Sequence, residues 1–161
     1  MASTYEKIAT QSVSGSSTTN VTFNSISGSY TDLVLIVNAK LAASNNISLR
    51  FNSDTASNYS YTYIFGSGSA ASSGKASSTT YIYGGSTSTT DYDTHIVNIN
   101  NYSNTSTNKT ALIESAVTSI GASAWVGLWR STSAITSIDV SFLGNIISAG
   151  STFTIYGILK A

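Results

Sequence analysis

The chain has no cysteine, no proline, one histidine and only 9% charged residues. Without cysteines it has no disulfide scaffold, which agrees with synthesis in a reducing cytoplasm. The charges are seven basic and seven acidic residues, scattered singly, for a formal net charge of zero. No basic stripe exists to neutralise phosphates, which argues against nucleic-acid binding as the main function. A polybasic membrane anchor is missing for the same reason. Long apolar runs are missing too: the longest, Leu33 to Val37, is far too short to span a bilayer. The opening residues, Met1 to Lys7, hold no apolar stretch of the signal-peptide kind. The expectation is a protein made and kept in a cytoplasm until something larger carries it out. No heptad, internal repeat or collagen-like Gly-x-y run occurs, so the chain predicts no fibrous shaft of its own.

What is present is serine and threonine, 54 of the 161 residues. Such polar, uncharged composition is common in linkers. Disorder, however, needs low hydrophobicity together with high net charge. Here 41% of residues are hydrophobic and 11% aromatic, and they fall in short alternating runs. Apolar residues alternating with Ser and Thr describe sheets with one buried face and one neutral polar face. The length suits one domain over residues 1–161, large enough to bury its own core.

Strand signals fall at Val21–Phe23, Tyr30–Ala39, Ile47–Phe51, Tyr61–Phe65 and Tyr81–Tyr83, then at Thr94–Ile99, Thr110–Val117, Ala124–Arg130, Ile135–Leu143 and Thr152–Leu159. The apolar run inside Tyr30–Ala39 suits a central strand buried on both faces. In Ile47–Phe51, Ser48 and Arg50 take the opposite face. Gly66 to Ser78 lacks periodicity and reads as a long mobile loop. Leu112, Ile113, Ala116, Val117 and Ile120 also satisfy helical spacing with Asn108 as a cap, but the β-branched residues among them favour strand. Asp54 to Asn58 could form one helical turn capped by Asp54. About ten closely spaced strands and no strand–helix alternation predict an all-β fold: a single antiparallel β-sandwich or jelly roll.

Catalytic chemistry finds little footing. His95 is the only histidine for a Ser–His–acid triad, and no Gly-x-Ser-x-Gly elbow accompanies it. In Asp91-Tyr-Asp93-Thr-His95, extended spacing would place Asp91, Asp93 and His95 on one face as a candidate divalent-metal group. The plainer reading is a Thr/Asp-rich loop with solvated acids, since nothing nearby completes a coordination shell. No pair of acids is singled out for glycosidic cleavage. No Gly-rich segment runs into a phosphate-binding Lys-Ser/Thr. The expectation is a non-enzyme without catalytic, cofactor or metal residues. Trp125 and Trp129 share one strand face, with Gly127 between them. They read as core or interface aromatics before they read as a sugar platform.

A soluble monomer usually carries about 25–35% charged surface residues and a net charge away from zero. This chain carries neither, so much of its surface is expected to be covered by copies of itself or by another assembly. Three stretches, Phe51-Asn-Ser-Asp54-Thr-Ala-Ser-Asn58-Tyr59-Ser-Tyr61, Trp129-Arg-Ser-Thr-Ser-Ala-Ile135-Thr-Ser-Ile138 and Gly150-Ser-Thr-Phe153-Thr-Ile-Tyr156-Gly157-Ile158, together resemble small β-sandwich virion proteins of tailed bacteriophages, cyanophages included. The resemblance runs from Tyr5 to the end of the chain. It implies a virion structural protein, commonly a homotrimer, either a capsid decoration (cement) protein or a tail or fibre part. One compact domain without a shaft favours the decoration protein, whose partners would be itself and the major capsid protein. The alternative is a receptor-binding tip that recognises host polysaccharide.

Overall fold

Between Lys109 and Val117 buried and exposed residues alternate without interruption. That period of two excludes the helix that the same apolar residues could have formed. The computed structural model describes residues 4–15 and 18–159. Among them lie twelve strands: β1 (Tyr5–Ser12), β2 (Asn20–Phe23), β3 (Asp32–Ala39), β4 (Asn45–Phe51), β5 (Tyr59–Gly66), β6 (Ala71–Thr79), β7 (Ile82–Thr87), β8 (Asp93–Asn100), β9 (Lys109–Val117), β10 (Gly121–Trp129), β11 (Ile138–Ser141) and β12 (Thr152–Ile158). They form an eight-stranded sheet, ordered β1-β12-β3-β8-β9-β10-β5-β6, and a four-stranded sheet, ordered β2-β11-β4-β7. Every paired neighbour is antiparallel.

The topology becomes simple once the hairpins β5–β6 and β9–β10 are set aside. The other eight strands make two sheets of four, β1-β12-β3-β8 and β2-β11-β4-β7. This is a jelly roll, in which two Greek keys close over one core. Both hairpins then extend the first sheet beyond β8. The result is a long sheet whose inner face, short of the β6 edge, the short sheet covers and whose outer face the described residues leave largely open.

The core lies between the inner faces. Leu33, Leu35, Ile47, Leu49, Phe51, Val97, Ile113, Phe153 and Ile155 are among its fully buried members. Trp125 and Trp129 both belong to it. Trp129 stacks on Tyr59 at 6.2 Å, and Trp125 stacks on Tyr63 at 4.2 Å. Strand β7 crosses β9 and β10 closely because glycines line the crossing. A Cβ on Gly127 would meet Ile82 at 2.3 Å, and one on Gly84 would meet Ile113 of β9 at 2.9 Å. Only a residue without a side chain fits there.

Several local expectations change. The segment 66–78 is a tight turn, closed by Ser67 N–H on Ala70 O at 2.9 Å, followed by strand β6. As the edge of the long sheet, β6 is exposed over most of its length. It has no core to face, so its sequence shows no alternation. Strand β1 is likewise an edge strand, with a register shift between Lys7 and Ala9 that breaks its pattern. Asp54 does cap the backbone, taking Ala56 N–H at 2.9 Å, but residues 54–58 form bends and no helical turn. Strand β3 is buried on both faces only across Leu33, Val34 and Leu35, while Ile36 is 37% exposed.

Candidate functional site

The histidine and its neighbour Asp93 belong to the fold's interior. His95 lies on the inner face of β8 and is fully buried. Its Nε2 lies 2.7 Å from Thr87 Oγ1 and its Nδ1 lies 2.8 Å from Ser115 Oγ, which also accepts Gly85 N–H at 3.1 Å. Burial lowers the imidazole from 6.5 to about 4, so at neutral pH the ring is uncharged. A neutral ring with one donor and one acceptor satisfies both hydroxyls. Thr87 and Ser115 are themselves buried. The contact ties β7, β8 and β9 together and offers no hydroxyl to an incoming substrate.

Asp93 shares that inner face, as the extended spacing predicts. Its Oδ2 accepts Ser88 N–H, and its buried Oδ1 has no partner among the described residues. Asp91 precedes the strand and is exposed, with its carboxylate taking the Thr90 hydroxyl at 3.1 Å. Alternation therefore stops one residue short of uniting Asp91, Asp93 and His95. Among the described residues no three His, Cys, Asp or Glu side chains stand together as a metal site.

Asp54 and Trp129, distant in sequence, form a second polar knot. Asp54 Oδ2 accepts Asn58 Nδ2 at 2.9 Å and Trp129 Nε1 at 2.7 Å. These bonds, the Asn58 amide first, hold its carboxyl below the usual range. Nearby, Tyr59 is buried, accepts Phe51 N–H at 3.1 Å, and is pushed up to about 12 by desolvation. Asn52 reaches the chain after β10, where its Oδ1 accepts Thr136 N–H at 2.8 Å. The knot fixes loops. It presents no reactive group.

The surfaces differ more than the interior suggests. On the outer face of the long sheet, register aligns Ile36, Ile96, Glu114, Ala124 and Ile64 in one row across five strands. The neighbouring row runs Val34, Asn98, Leu112, Val126 and Thr62. Ile64 is 64% exposed, Val126 55%, and Leu112 39%. Alanines and glycines around Ala122 leave a trough of about 890 Å³ there, with Glu114 the one charged residue lining it. On the outer face of the short sheet, Thr22, Ser48, Arg50, Asp139 and Ser141 replace the aliphatics. Ser48, Arg50, Asp139 and Ser141 help line a smaller hollow of about 310 Å³.

Both surfaces escape a reading by motif. Each draws on several strands, and only the pairing register brings them together. The available signal was that β3, β9 and β10 carry apolar residues in both phases of their alternation. That marks strands with two apolar faces without saying which face is covered. No known protein family matches the chain, and no curated protein matches it either.

Proposed function

We propose that the protein is a non-enzymatic structural component of a tailed-phage virion, a capsid decoration protein that stabilises the head. The observation that carries this reading is the open apolar face of the long sheet, with Ile36, Ile64, Leu112 and Val126 exposed on it. Contiguous exposed apolar surface of this kind marks an interaction site.

Magnitudes say what sort of assembly suits it. Fully burying an aliphatic side chain contributes about 1.5–3 kcal/mol. The four residues are already partly covered, so seating this face on a partner supplies on the order of 3–6 kcal/mol from them. Association costs about 4–15 kcal/mol in lost freedom. One such contact is weak by itself. Copies joined as a homotrimer, and bound at several points on the major capsid protein lattice, make a weak contact hold. A face with few charges would also keep its grip as salt changes. Glu114, alone in the trough, would take one Lys or Arg from the partner and so fix the register of docking. Under this reading the protein is made in the host cytoplasm and resides in the virion.

The test is release and rebinding on purified heads. The reading expects heads stripped of the protein to lose heat resistance and to regain it on adding the purified chain back. Binding to host cells but not to empty capsids would overturn it in favour of a receptor-binding tip.

A further inference from the structure

We propose that the hollow on the outer face of the short sheet is a binding site for a neutral sugar ring. Its centre is the cross-strand pair Arg50 on β4 and Asp139 on β11, which stand directly opposite each other. Opposite charges so placed ordinarily join. Here each turns to another partner. Arg50 donates through Nε to Thr80 O at 2.9 Å and through Nη2 to Thr80 Oγ1 at 3.5 Å, and its guanidinium lies 5.6 Å from the Tyr81 ring centre. Asp139 accepts the Thr22 hydroxyl on Oδ1 at 2.6 Å and the Ser53 hydroxyl on Oδ2 at 3.4 Å.

What remains is a donor and an acceptor lining the same open hollow. Among the described residues Arg50 Nη1 has no hydrogen-bond partner, and a carboxylate has room for about four hydrogen bonds, of which Asp139 uses two. The next cross-strand pair, Ser48 and Ser141, closes the floor with hydroxyls 2.8 Å apart. Tyr81 and the exposed Leu143 give the hollow apolar wall and rim.

Charge decides the ligand class. An anion drawn to Arg50 meets Asp139, and a cation drawn to Asp139 meets Arg50. A polyol avoids both penalties, because one hydroxyl can accept from the guanidinium while its neighbour donates to the carboxylate. A pyranose ring also offers an apolar C–H face to Tyr81 and Leu143. The volume, about 310 Å³, lies at the small end of the ~300–1,000 Å³ range of small-molecule sites and suits one ring of a longer glycan. This site does not depend on the virion reading, since it lies on the opposite side of the sandwich from the apolar face.

The purified chain tests it directly. Glucose, galactose, mannose and N-acetylglucosamine are titrated to about 100 mM while backbone amide shifts are followed by NMR. The proposal expects at least one sugar to shift amides of β4 and β11 with a Kd of roughly millimolar order, typical of a single ring held by a few hydrogen bonds. Asp139→Asn and Arg50→Gln should each weaken that binding about tenfold or more, the loss of one charged hydrogen bond. Asn20→Tyr, which fills the hollow from its exposed rim, should abolish binding even if the first two variants fold poorly. Absence of shifts with all four sugars would overturn the proposal. So would shifts located elsewhere, or binding that survives Asn20→Tyr. Phosphate or lysine shifting the same amides in place of every sugar would replace it with a charged ligand.

Discussion

The two outer faces of this sandwich are built from the same backbone pattern and carry opposite chemistry. On the long sheet the outward phase holds Ile36, Ile64, Leu112 and Val126; on the short sheet it holds Thr22, Arg50, Asp139 and Ser141. Nothing in the jelly roll requires this. A solvated sheet face normally alternates to polar residues on either side. The short sheet obeys that rule; the long sheet breaks it at Ile36 on β3 and again on the inserted hairpins. On the proposed reading, one side is buried in an assembly and the other contacts small polar molecules.

Charging the apolar face should produce the largest effect. Ile64→Asp combined with Val126→Asp would place two carboxylates in a contact that excludes water, and attachment to heads should fall about a thousandfold, roughly 4 kcal/mol. Melting temperature should stay close to wild type, because both side chains already face solvent in the free protein. Co-sedimentation with heads and calorimetry measure the two halves of this expectation.

The interior between the faces should respond to acid by a comparable amount. In the fold His95 takes its proton only near pH 4, whereas the unfolded chain takes it near 6.5. Between those values the unfolded state binds more protons. Stability is therefore full above pH 6.5 and declines as pH drops towards 4, by roughly 3 kcal/mol at most. Denaturant melts across that range should show this slope in wild type and in the double aspartate variant alike. His95→Gln should flatten it.

Neighbouring residues of β10 sharpen the contrast further. Gly127 faces inwards, where a Cβ would lie 2.3 Å from Ile82. Gly127→Ala should cost about 2 kcal/mol of stability, an overpacking penalty, which lowers the melting temperature by several degrees. Gly15→Ala, with nothing within 4 Å of the added Cβ, should change it little. Val126, one residue from Gly127, should show the reverse: loss of attachment with stability retained. Of the destabilising changes, Trp129→Phe should be the mildest, about 1 kcal/mol, since it removes the bond to Asp54 while keeping most of the stacked ring.

Strands facing the core were legible because burial imposes a period of two. Phe153, Ile155 and Gly157 share the inner face of β12, as their spacing requires. Edge strands were not, for β6 touches no core and Ser, Gly and Ala serve it equally well. The Asp91–His95 motif failed at one residue. Asp93 and His95 face inwards, but the strand begins at Asp93, and only a strand could have carried Asp91 to the same face. Arg50 read as an ordinary outward residue of its strand, and no local signal marked Asp139. Their meeting follows from register, which no local pattern encodes.

The division between the faces can be measured with thiols, because the native chain has none. Val126→Cys on the long sheet and Thr19→Cys, an exposed position just before β2, are labelled with maleimide in the free protein and on intact phage heads. Both should react in the free protein. On heads, Thr19→Cys should still react while Val126→Cys is protected. Equal labelling of both on heads, or protection of Thr19→Cys alone, would contradict an apolar face buried against the capsid.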